Sequence, residues 1–122
     1  MIGSLMMCVS VVVLICGMVF GIVMGVREDF ALQAAHAHLN LLGGVLLFLF
    51  GLYYRLVPAA GAIMLAKVQG WLHIIGGILM PAGVAMVITQ GAGFIAIPIV
   101  GSLVMLAATA LFAVIVFRTA RA

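Results

Sequence analysis

The chain has 122 residues, of which 69% are hydrophobic and 6% charged, and its mean hydropathy is +1.55. Soluble domains carry about 25% charged residues, so this composition excludes a water-soluble globular protein and points to an integral membrane protein of a few spans, with no room for a separate soluble domain. The net charge of +3 rests on five basic residues, too few to argue for a nucleic-acid partner, and its use is topological.

Four apolar segments of at least about 20 residues, enough to cross about 30 Å of hydrocarbon, are expected at roughly 4–26, 30–54, 59–89 and 92–117. They predict an all-α, four-span bundle occupying residues 1–122 as one domain. The first run has no basic residue at its amino end, is longer than a signal core and is followed by further spans, so it reads as a retained helix rather than a signal peptide. It holds Cys8 and Cys16 without CxxC or CxxCH spacing. That argues against a disulfide framework, a ribbon-type zinc site and covalently attached haem. Gly17, Gly21 and Gly25 form a GxxxGxxxG row of the kind that lets helices approach closely in lipid, as packing within the protomer or as an oligomer seam.

The breaks "REDF", "RLVPAAG" and "TQGAG" are polar, Gly-rich or Pro-containing and short enough to make consecutive spans antiparallel neighbours. Arg55 and Lys67 lie around the second connection and Arg118 and Arg121 follow the last span, while Arg27 in the first connection stands beside Glu28 and Asp29. The excess of positive charge predicts that both termini are cytoplasmic. Tyr53 and Tyr54 then fit an interfacial aromatic belt.

The second span carries the unusual stretch "QAAHAHLNLLGG". Ionisable side chains inside a span are functional-site candidates by default. His36 and His38 lie about 200° apart around a helix, so they cannot clamp one metal ion as an i, i+4 pair does. Two histidines on opposite sides need two different neighbours. A closed ring of copies supplies them, because each head-to-tail interface pairs one face with a different face of the next copy. His36 of one copy and His38 of the next would then offer the two axial imidazoles of a six-coordinate haem iron. The alternative is that each histidine bonds a nearby carbonyl, with Asn40 assisting. His73 in the third span has Gln69 one turn before it on the same face, a possible hydrogen-bond partner. His73 and one of the pair would alternatively ligate haem within a protomer. Arg27 is a candidate for haem propionates through its bidentate fork, or an ion-pair partner of Glu28 or Asp29. Trp71 would pack on a porphyrin edge or on lipid.

The runs "HAHLNLLGGVLLFLFGLYYRLVP" and "QGWLHIIG" resemble parts of the large subunit of haem-copper oxidases and nitric-oxide reductases, and of small membrane proteins similar to it. That subunit arranges twelve spans as three four-helix arcs, with low-spin haem b held by histidines from its second and tenth helices. The resemblance implies a homotrimer that mimics the twelve-helix core, holding haem b between His36 and His38 of adjacent protomers in a bacterial or archaeal cytoplasmic membrane. It also implies electron exchange with a quinol or another redox partner. Departures from the family limit the analogy: only His73 is left per chain for a copper centre that needs three histidines, so oxygen reduction at such a site is not expected. Two other functions compete. A proton-coupled exporter is disfavoured because the first span holds no carboxylate. A haem-free structural or metal-binding subunit of a larger complex predicts a colourless protein.

Overall fold

In the computed structural model, which describes residues 1–121, the four apolar runs form α1 (Ile2–Arg27), α2 (Gln33–Leu56), α3 (Met64–Gln90) and α4 (Ala96–Thr119). All four are long and apolar enough to cross a membrane, and no strand occurs among the described residues. The chain is an all-helical, four-span protein of the membrane type.

The helix ends follow local chemistry. After α1, Glu28 takes a left-handed conformation (φ 52°). The N–H groups of Glu28 and Asp29 then turn back to the carbonyls of Gly25 and Met24 at 3.2 and 3.1 Å, which satisfies carbonyls that the helix end would leave open. The Asp29 carboxylate next accepts the Ala31 N–H at 3.1 Å. This side-chain turn delays α2 to Gln33, three residues beyond the expected start. Between α2 and α3, Val57 is kept out of helical geometry (φ −118°, ψ 84°) by the proline after it. Pro58 opens a one-turn helix, Pro58–Gly61, so α3 begins at Met64 rather than near residue 59. Gly91, at φ 101°, ends α3, and a single 3₁₀ turn, Ala92–Phe94, leads into α4.

Two irregularities shape the middle of the bundle. Residues Leu39–Leu46 of α2 are π-helical, a widened turn in which bonds run from i to i+5. In α3, Pro81 lies inside the helix and removes the N–H that would bond the Gly77 carbonyl. That carbonyl faces Gly43 of the π-helical segment, where an added Cβ would come within 3.2 Å of it and of Val13 in α1. Three helices therefore meet at Gly43.

Packing runs α1 on α2, α2 on α3 and α3 on α4, while α4 makes no extensive contact with α1. The four helices thus form an open arc. At the far end of the arc α4 reaches α2 through side chains: Phe112 stacks on Phe50 with ring centroids 3.7 Å apart, and Tyr53 and Thr119 share a 2.7 Å hydrogen bond between hydroxyls. Small residues set the spacing, as expected where lipid removes the hydrophobic drive between helices. A Cβ at Gly51 would lie 2.8 Å from the Gly3 carbonyl oxygen, and one at Gly83 would lie 2.6 Å from the Pro98 nitrogen. Large apolar side chains such as Val12, Ile15, Met18 and Ile22 of α1 and Leu103, Leu106 and Phe117 of α4 point outward, the inverse of a soluble fold. Arg55 and Lys67 line one cavity, and the Tyr53–Thr119 bond brings Arg118 to the same end. Arg27, Glu28 and Asp29 occupy the opposite one.

The glycine row of α1 serves packing within the chain. Asn40 and His36 of α2 occupy the space beside Gly17 and Gly21, whereas nothing lies within 4 Å of a Cβ at Gly25. Gly51→Leu should lower unfolding stability by about 1–3 kcal/mol through overpacking against rigid backbone. Gly25→Leu should change it by about 0.5 kcal/mol or less. Reversible unfolding in mixed detergent micelles compares the two directly.

Candidate functional site

Residues Gln33–His38 are α-helical, so His36 and His38 face different sides of α2, as their spacing requires. His36 turns inward to α1. Its Nε2 lies 2.9 Å from the Gly17 carbonyl oxygen and 3.0 Å from the Asn40 side-chain amide. The absence of a side chain at Gly21 makes the space, since a Cβ there would sit 2.9 Å from Nε2. Phe20 closes the pocket edge-on at 5.6 Å.

Proton bookkeeping decides how this trio bonds. A carbonyl oxygen only accepts, so Nε2 carries the proton and donates it to Gly17. An N–H cannot also accept from Asn40. The amide of Asn40, turned so that Oδ1 rather than Nδ2 faces Nε2, is then a second acceptor, and its NH₂ group takes the buried position beside Gly17 in which the oxygen has no partner. The inward histidine is thus part of a lock between α1 and α2.

His38 is arranged differently. Its Nδ1–H donates to the Ala34 carbonyl of its own helix at 2.7 Å, which fixes the tautomer and leaves Nε2 with an open lone pair. The ring is half-buried, and the α2 residues that follow it outward, Leu41, Val45 and Leu49, are exposed.

His73 is fully buried. Its Nε2–H donates to the Leu42 carbonyl at 2.8 Å, inside the π-helical turn, where a distorted ladder admits a donor from a neighbouring helix. Phe50 meets the imidazole edge-on, with centroids 5.0 Å apart. The expected Gln69–His73 bond is not made. Gln69 instead accepts the Tyr54 hydroxyl proton at 2.9 Å. Tyr54 is accordingly no belt residue: it is buried, with 3% of its surface exposed, because the turn at Pro58–Gly61 folds over its end of α2. Sequence reasoning missed Tyr54 as the partner of Gln69, since their contact depends on how α2 and α3 cross.

The remaining candidates stand apart from the imidazoles. Trp71 is 52% exposed on the outer face of α3. Arg27 is exposed and lines a cavity of about 110 Å³ with Phe20, Asp29 and Leu32. Phe20 links that cavity to His36. Cys8 and Cys16 are free and exposed. Among the described residues no three His, Cys, Asp or Glu side chains converge as a metal-binding group. Haem ligation by His73 inside one protomer does not fit this geometry. Its Nε2 is engaged with Leu42 and its ring is enclosed by packed side chains.

Comparison with protein-family models, with characterised sequences and with solved structures gives no match to this chain. The site is therefore read from its own geometry. His73→Ala should destabilise the fold by about 2–4 kcal/mol, by opening a cavity and leaving the Leu42 carbonyl without its donor. His38→Ala should cost about 0.5 kcal/mol. Thermal unfolding of both variants in detergent checks the contrast.

Proposed function

We propose that the chain is a membrane-embedded haem b protein that passes single electrons, with His38 as one axial ligand and the second imidazole supplied by an adjacent copy. The observation that carries this reading is the His38 ring. Its Nδ1–H is tied to a backbone carbonyl, the outer-shell bond that fixes a metal-ligating histidine and raises its basicity. Its Nε2 has an open lone pair on a helix face that is otherwise apolar. A polar atom in that position needs a partner from outside the chain.

The haem, when bound, supplies the one-electron couple. The chain supplies the imidazole, a low dielectric that tunes the potential, and Arg27 at the membrane edge as a cation for propionates. Residues 36–58 and 69–76 support the reading by their resemblance to the haem-copper large subunit. So does the open arc, because α1 and α4 are left free for neighbours in a ring; three copies would complete a twelve-helix core. His36 fits less readily, since its Nε2 is engaged with Gly17. To act as the second ligand it must either give up that carbonyl or use Nδ1, the ring nitrogen that carries the lone pair while Nε2–H donates to Gly17. With His36 and His38 assigned to haem, each chain has only His73 left for a copper centre that needs three histidines, so electron transfer is preferred to oxygen reduction. The basic end that gathers Arg55, Lys67 and Arg118 is the one we assign to the cytoplasm, together with both termini.

A second reading has its own observation. Each of the three histidines bonds a backbone carbonyl, which is what a haem-free structural subunit requires. Optical spectra of protein expressed with ample haem, oxidised and then reduced with dithionite, separate the two. Sharp reduced bands of a six-coordinate b-type haem, lost in both His38→Ala and His36→Ala, are expected for a site shared between copies. Retention in His36→Ala alone would make His38 of a second copy the other ligand. A colourless wild-type protein would replace the haem reading by the structural one.

A further inference from the structure

Away from the α2 histidine pair, α3 holds two polar side chains that are fully enclosed and only half satisfied. Gln69 and His73 both have 0% of their surface exposed, and residues four apart share one helix face. Gln69 uses Oε1 to accept the Tyr54 hydroxyl proton, so its NH₂ group is the orphan. His73 uses its Nε2–H on the Leu42 carbonyl, so its Nδ1 is a lone-pair acceptor. Neither Gln69 Nε2 nor His73 Nδ1 has a partner in the protein.

The two vacant functions are complementary, a donor and an acceptor on one face. Each bond that the side chain already makes forces this assignment of roles. Turning the Gln69 amide round would leave an oxygen facing an unprotonated nitrogen, acceptor against acceptor. Phe50 makes a T-shaped contact with the imidazole, Ile74 and Leu47 belong to the buried apolar core, and the one other fully buried polar side chain among the described residues, Ser10, gives its hydroxyl proton to the Met7 carbonyl at 2.7 Å. Buried polar atoms without partners are rare and costly. Internal water is the usual remedy, provided that it finds at least two polar partners.

We propose that Gln69 and His73 form a binding site for one internal water molecule. The water accepts an N–H from Gln69 Nε2 and donates an O–H to His73 Nδ1. It thereby joins Tyr54, Gln69, His73 and the Leu42 carbonyl into one hydrogen-bonded chain, which ties α2 to α3 both near the end of α2 and at its π-helical turn. This assignment is independent of whether haem is bound elsewhere.

The test is water-edited solid-state NMR on the full chain in lipid bilayers, with ¹⁵N in the histidine rings and glutamine side chains. The expected result is magnetisation transfer from water to both Gln69 Nε2 and His73 Nδ1 in the wild type, with the transfer to His73 lost in Gln69→Leu. The wild-type spectrum decides by itself if that variant does not fold. No transfer to either nitrogen would overturn the site. So would an Nδ1 signal bonded directly to a Gln69 N–H without water contact, because the two side chains would then satisfy each other.

Discussion

In hydrocarbon a polar side chain finds no solvent, and the acceptor most abundant around it is the backbone carbonyl. The three histidines of this chain all answer to that constraint: His36 reaches Gly17, His38 reaches Ala34 and His73 reaches Leu42. Two of the three bonds cross between helices and position them. Only the His38 bond stays within its own helix, so His38 ties no second helix in place, and its Nε2 lies on a half-buried ring beside the exposed apolar face of α2. The division of labour among chemically identical side chains thus comes from which carbonyl each one finds.

The crossing bonds depend on the absence of side chains elsewhere. His36 and Asn40 enter the α1 interface because Gly17 and Gly21 have no Cβ to fill it. His73 reaches α2 because Gly77 and Gly43 let the two helices approach closely and because the π-helical turn presents a carbonyl at the point of approach. Glycine weakens a helix in water by about 1 kcal/mol relative to alanine. In lipid the same residue provides the contact and the polar bond together, which explains how a chain with 15 glycines forms four long helices.

Much of this was legible in the residues. The length and apolarity of the runs identify four spans, and the HxH spacing places its two imidazoles on different sides. The glycine row was legible as a close-approach surface, but its occupant was not, because a GxxxGxxxG pattern does not say whether the visiting helix belongs to the same chain. The Gln69–His73 spacing suggested a bond that the structure does not make: each side chain instead engages its other polar atom with α2, Gln69 Oε1 accepting from the Tyr54 hydroxyl and His73 Nε2–H donating to the Leu42 carbonyl. Tyr54 itself looked interfacial by sequence position, and it is buried by a turn whose fold depends on Pro58 and the crossing of α2 over α3.

By itself the sequence determined the solvent of this protein and the number of its helices, because both follow from summed hydropathy and run length, which need no knowledge of neighbours. It also determined that His36 and His38 diverge, since helical rotation is a local property of the backbone. The tertiary structure alone decided which nitrogen of which histidine is left free. That outcome depends on the position of carbonyls on adjacent helices and on a local widening of α2, and these are set by how glycines, Pro81 and bulky side chains pack around one another in space.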